Sequence, residues 1–211
     1  MTIILSSINR ASTLGSYAQL AASVSAWSHR TDLEALLPDF VTLAEARINR
    51  DIRVRQMITK TMLTYLAGAQ DAALPDDWLE FKNLTLNGSP PRPLTYETVE
   101  QLGLRVSGGV PVAYSLEGSR LLLGPTPSAN TTVSGVYYAK FPSLLDEPTN
   151  WLMSRHPSIY LFAVMMEVML YTQNAEQLAT YTARYLNETE QLLNQDDRAE
   201  HSGSTLSVRA N

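Results

Sequence analysis

Val112-Ala113-Tyr114-Ser115-Leu116-Glu117-Gly118-Ser119-Arg120-Leu121-Leu122-Leu123 lies near the middle of this 211-residue chain. It reads as two β-prone runs, Val112–Leu116 and Arg120–Leu123, joined by a tight turn at Glu117-Gly118-Ser119. The residues on either side continue the pattern. Further β-prone runs are Met57–Leu66, Trp78–Leu86 and Thr131–Lys140. Between them stand the turn signals Leu74-Pro75-Asp76-Asp77, Asn87-Gly88, Ser89-Pro90-Pro91, Gly108-Gly109 and Gly124-Pro125. Short strands at such spacing predict a small antiparallel sandwich or barrel. One short helix is expected inside it, where Thr98 and Gln101 stand in capping-box register.

Outside this zone the period changes from two to 3.6. Ser16 is placed to cap a helix over Tyr17–Trp27, with Leu20, Val24 and Trp27 on one side. Thr31 and Glu34 have capping-box spacing, and Pro38 suits the first turn of a longer helix. Along that helix, to about Arg53, Phe40, Leu43, Ala44, Ile48 and Ile52 recur at helical spacing. Toward the other end, Pro157 opens a helix over Ser158–Thr172 that is apolar nearly all round, and so is expected to be the most buried element. Its apolar run, Ile159 to Tyr171, falls short of the roughly 18–20 residues that span a bilayer. A last helix, Ala175–Ala199, carries the stripe Leu178, Tyr181, Tyr185, Thr189 and Leu192.

The fold class this predicts is α+β: a helical bundle formed by both termini, with a small antiparallel β-domain inserted in it. The expected bounds are 1–55 and 148–200 for the helical domain and 56–147 for the β-domain. Residues 201–211, small and polar, are expected to be a flexible tail. The first residues have no charged n-region, and their apolar run is too short for a signal peptide.

Composition narrows the function. The chain has no cysteine, which excludes disulfides, thiolate metal sites and cysteine nucleophiles. Its three histidines, His29, His156 and His201, are scattered, and none has metal-ligand spacing to another. No nucleophile-elbow, zincin, phosphate-loop or dinucleotide fingerprint is present. Asp76-Asp77 is a carboxylate pair, but after Leu74-Pro75 it reads as turn chemistry. No catalytic, cofactor or metal residue is therefore assigned. The aromatic pairs Trp78/Phe81 and Tyr137/Tyr138 suggest stacking platforms, yet residues 61–147 hold five basic and nine acidic side chains, the wrong sign for a phosphate groove. They, and Met165, Met166 and Met169, are assigned to packing.

The formal net charge of −5 is uneven. Residues 1–60 carry +2, residues 61–147 carry −4 and the remainder carry −3. The basic excess gathers at Arg47, Arg50, Arg53 and Arg55. At about 100° per residue Arg47 falls in the apolar arc of its helix, with Asp51 four residues on. Glu167 is the one charge in the most buried helix. An ionic cluster of Arg47, Asp51 and Glu167 is thus expected, since burial of any one unpaired is costly. Arg50, Arg53 and Arg55 are left as candidates for partner contact.

Several stretches carry a resemblance to a known family. They include Leu36-Leu37-Pro38-Asp39-Phe40 with Ala44-Glu45-Ala46-Arg47-Ile48-Asn49-Arg50-Asp51-Ile52-Arg53, and Leu74-Pro75-Asp76-Asp77-Trp78-Leu79-Glu80 leading to Leu84-Thr85-Leu86-Asn87-Gly88. Further on come Leu121-Leu122-Leu123-Gly124-Pro125, Tyr137-Tyr138-Ala139, Pro148-Thr149-Asn150-Trp151-Leu152 and His156-Pro157-Ser158-Ile159-Tyr160-Leu161. In number and order, from about Tyr17 to Arg209, they resemble the phage head-to-tail adaptor family. The resemblance implies a virion structural protein, made in the bacterial host cytoplasm and sited at the head–tail junction. Such proteins form a ring, typically dodecameric, below the portal protein, and a tail or nozzle protein attaches on the far side. DNA passes through without sequence-specific binding, and neither membrane nor cofactor is involved. The helical region and C-terminal tail would face the portal, which adds Ser202, Leu206, Val208 and Arg209 as partner candidates. Rival expectations are a virion-associated hydrolase with carboxylates in the β-domain, and a standalone surface binding module.

Overall fold

A computed structural model of the protein describes residues 14–105 and 108–201. In chain order the elements are α1 (Tyr17–Ser28), α2 (Leu37–Asp51), β1 (Ile58–Tyr65), β2 (Asp71–Ala73), β3 (Trp78–Leu86), β4 (Arg92–Pro93) and β5 (Thr95–Tyr96). There follow α3 (Val99–Gly103), β6 (Ala113–Glu117), β7 (Arg120–Gly124), β8 (Thr131–Ala139), α4 (Trp151–Arg155), α5 (Pro157–Tyr171) and α6 (Ala175–His201). The protein is α+β, and its contacts divide it into two compact units. Among the described residues, one holds 14–53 and 141–201; the other lies within Val54–Lys140.

The helical unit is organised around α5. Every residue from Ile159 to Met169 is buried, so this helix presents no solvent face over three turns. It packs against α1, α2, α4 and α6. Helix α2 starts as expected, with a proline in its first turn, where the missing N–H costs nothing. The start ahead of it differs from expectation. Thr31 and Glu34 form no capping box: residues 34–36 make a 3-10 turn without a side-chain cap, and Asp32 is held instead by Arg30 at 2.5 Å. The buried face of α2 is Phe40, Val41, Ala44, Glu45 and Ile48, while Leu43 is 54% exposed. Apolar spacing tolerated Leu43 on either side of the arc; the packing chose the side that buries a carboxylate. The predicted stripe of α6 is found, with Tyr185, Thr189 and Leu192 buried. Between α1, α5 and α6, Trp27, Phe162 and Tyr181 form an aromatic triangle with centroids 6.3–6.4 Å apart, and the Arg184 guanidinium lies 5.8 Å from the Phe162 ring.

The second unit has two four-stranded sheets, in the orders β1-β8-β3-β4 and β2-β7-β6-β5. They are open sheets and not a closed barrel. Pairing is antiparallel except between β5 and β6. The hairpin at Glu117-Gly118-Ser119 joins β6 and β7, and Gly118 has φ 56°, the left-handed value such a turn favours in glycine. Tyr65, Leu84, Leu86, Leu121, Leu123 and Val133 fill the space between the sheets. The Tyr65 hydroxyl donates to the Leu121 carbonyl across that core at 3.1 Å. Helix α3 carries the predicted capping box, with Thr98 and Gln101 each satisfying the other's backbone.

Gly124 positions α3 against the sheet. A Cβ there would stand 2.5 Å from Leu102 Cδ1 and 2.8 Å from its Cγ, and Leu102 is the buried side chain of α3. Gly124→Ala is expected to destabilise the protein by about 2 kcal/mol through overpacking. Thermal melts of Gly124→Ala, Leu102→Ala and the double variant check this. The double should lose less than the sum, because truncating Leu102 vacates the space the methyl needs.

Candidate interaction surfaces

The basic series on and just after α2 divides by what each side chain touches. Arg47 Nη2 donates to Glu167 Oε1 at 2.6 Å, joining α2 to α5. Glu167 keeps 7% of its side-chain surface exposed and Arg47 31%. Asp51 is engaged elsewhere: it accepts from the Tyr185 hydroxyl of α6 at 3.0 Å and lies 3.3 Å from Arg50 Nε. The three charges therefore form two contacts a helical turn apart along α2, tying it to α5 and to α6. Arg53, two residues past the end of α2, turns back on that helix, donating to the carbonyls of Asn49 and Ile52 at 2.5 and 2.7 Å. These carbonyls belong to the helix end, which has no amides of its own to offer them. Arg50 is left with 70% of its side-chain surface in solvent. Arg55 is exposed on the 3-10 turn before β1. Ser202, Leu206, Val208 and Arg209, with the tail they belong to, lie outside the described residues.

The buried polar centre of the helical unit has almost no signature in the sequence. Glu45 Oε1 accepts from the Leu144 amide at 2.8 Å and from the Tyr160 hydroxyl at 3.2 Å. Asn150 donates to the same hydroxyl at 2.6 Å and to the Pro142 carbonyl at 2.8 Å, while its own oxygen caps α4 at Met153 N. This network fastens residues 142–153, which have little regular structure before α4, onto α2 and α5. The signal for it was faint: Glu45 looked like an ordinary helix charge beside Ala44. Burial drives the Tyr160 phenol well above its usual pKa, and the Glu45 carboxylate adds to the effect. Glu45→Ala would leave the buried Leu144 amide without an acceptor, at a cost of about 2 kcal/mol. Hydrogen exchange checks it: amides of residues 142–146 should lose protection, most of all Leu144.

The other titratable candidates are structural in the same sense. Asp77 accepts from the Tyr137 hydroxyl at 2.9 Å, and the two aspartates occupy a turn before β3. Trp78, Phe81 and Tyr137 pack in a row, tilted and then edge-to-face, with centroids 5.4 and 6.2 Å apart. His29 ends α1 in the left-handed region, and His156 precedes α5, where burial lowers its pKa. Among the described residues no group of three or more acidic, histidine or cysteine side chains is placed to hold a metal ion, and no helix is long and apolar enough to cross a membrane.

The polar groups named above brace elements against one another, and Arg50 stands exposed at the end of α2. The chain belongs to the SU10 adaptor protein family, whose model matches residues 16–209 and so takes in both units. That places it among phage head-to-tail adaptors, as a structural adaptor of the virion. No curated protein matches the chain.

Proposed function

We propose that this protein joins capsid to tail by forming a ring of identical copies below the portal protein, with a tail or nozzle protein bound on the far side and DNA passing through. The observation that carries this reading is the family match over residues 16–209, which leaves neither unit outside the adaptor. In this reading Val54–Lys140 is a domain inserted between two stretches of one helical domain. The exposed Arg50, at the C-terminal turn of α2, and Arg55 are offered to a partner, together with the C-terminal segment that holds Ser202, Leu206, Val208 and Arg209. A net charge of −5 suits a ring through which a polyanion must slide, because a mildly acidic wall repels phosphates.

Native mass spectrometry of the full chain, with and without the purified portal protein of the same phage, tests the proposal. A multimer of defined copy number on the portal supports it. A monomer indifferent to portal would overturn it and favour the hydrolase or standalone-module alternatives.

A further inference from the structure

Leu104 is the most exposed large apolar side chain among the described residues, at 87%. It follows α3 directly, so it stands on the side of the second unit where α3 packs against β6 and β7. Glu100 is exposed four residues earlier, on the same face of that helix. A hydrogen bond from its own backbone amide and another from Thr98 hold the Glu100 carboxyl below its usual pKa, so it presents a negative charge. A short helix thus displays an apolar knob with a carboxylate beside it.

The other sheet carries a feature of the opposite kind. On the outer face of β1, β8 and β3 lies a hollow of about 500 Å³. The side chains that floor it are small, Ser134, Val136 and Thr85, and its rim carries Lys60 and Met62 of β1. Met62 is 66% exposed, and Lys60 has no acidic partner among the described residues. β1 is also an outermost strand of eight residues, in unbroken register with β8, so its outer edge has neither a bulge nor a proline to deter further contact. An apolar knob flanked by a carboxylate and a hollow flanked by an ammonium are complementary in shape, polarity and charge. The knob stands beside β6 and β7 and the hollow on the other sheet of the same unit, so one copy can present its knob to one neighbour and its hollow to a second. When a protruding apolar side chain and its receptor site occupy different surfaces of the same molecule, copies join head to tail, in rings or filaments.

We propose that Leu104 and Glu100 of one copy seat in the Lys60–Met62 hollow of the next copy, and that this contact links neighbouring subunits of the ring. The inference rests on the ring reading above and names the surfaces by which it closes. The absence of native cysteine makes the test clean. In the full chain, assembled on portal under mild oxidation, Met62→Cys with Leu104→Cys should give a ladder of disulfide-linked multimers. Each single-cysteine variant should give none, because like positions do not meet. In a second measurement Leu104→Asp should reduce assembly on portal at least tenfold with an unchanged circular dichroism spectrum. Lys60→Glu should weaken assembly too, and the exchange Lys60→Glu/Glu100→Lys should restore most of it.

A dimer from either single-cysteine variant would overturn the proposal in favour of a two-fold contact. Wild-type assembly with no ladder, and with Leu104→Asp at full strength, would overturn this contact while leaving the ring intact. Failure of the wild-type chain to assemble at all would overturn the ring reading, and this inference with it.

Discussion

Arg47→Met is expected to lower the stability of the protein by about 3 kcal/mol, the scale for removing one partner of a buried ion pair. For a chain of this length that corresponds to a fall in Tm of roughly 6–12 °C. The loss arises at Glu167 more than at Arg47. Glu167 sits in the buried run Ile159–Met169 of α5, and Arg47 donates to it at 2.6 Å. Methionine fills much of the arginine's volume but offers no donor, so the carboxylate is left out of water without a partner. Glu167→Leu on its own should cost less, because the stranded arginine retains 31% of its side-chain surface in solvent and can turn outward. The double variant, with methionine and leucine in contact, should recover most of the loss, since replacing both partners with apolar groups removes the desolvation penalty together with the attraction. Urea titrations of the four proteins measure the coupling directly. Additive losses would show that the pair contributes nothing as a pair.

The link between Arg47 and Glu167 was legible in the sequence because each residue broke its local pattern. A basic residue inside the apolar arc of one helix and an acidic residue inside an almost wholly apolar helix need each other. Asp51 broke no pattern so clearly, and the structure gives it to Tyr185, a residue the sequence offered only as part of an apolar stripe. The long elements were equally legible: β3 occupies Trp78–Leu86 as its alternation and flanking turns indicated, and α5 follows Pro157. What escaped were pieces too short for a period to register. β2, β4 and β5 have three, two and two residues, and they exist because neighbouring strands supply the hydrogen bonds. α4 has five residues and depends on the Asn150 cap. The hollow and the knob escaped for another reason. A cavity on a sheet face is a property of three strands in register, and Leu104 in isolation is one more leucine.

At high pH the protein is expected to unfold between about pH 10.5 and 12, with its tyrosines as the trigger. Four of them share one arrangement, a buried ring with a carboxylate nearby: Tyr65 with Asp71, Tyr137 with Asp77, Tyr160 with Glu45 and Tyr185 with Asp51. In each case burial is the larger cause of a raised phenol pKa and the carboxylate the next; for Tyr137 the value is pushed up to about 12. In the unfolded chain the same phenols titrate near 10. Above that pH the unfolded state sheds protons that the folded state retains, so stability is intact below about pH 10 and falls as pH climbs toward the folded-state values. Each such tyrosine contributes a slope of about 1.4 kcal/mol per pH unit. The full slope is reached only once the unfolded phenols are ionised, so between pH 10 and 11 the four together remove about 4 kcal/mol, a large part of the stability of many domains. Both units are exposed to this, since Tyr160 and Tyr185 belong to the helical unit and Tyr65 and Tyr137 to the sheet-bearing one. Phenolate absorbance near 295 nm and circular dichroism followed together provide the check. The buried phenols should ionise in the same transition that destroys the secondary structure. Tyr185→Phe should be less stable at pH 8, having lost its bond to Asp51, yet show a shallower alkaline slope because one titrating group is gone. Phenols ionising gradually around pH 10 in a protein whose helices and strands stay intact would contradict the assignment.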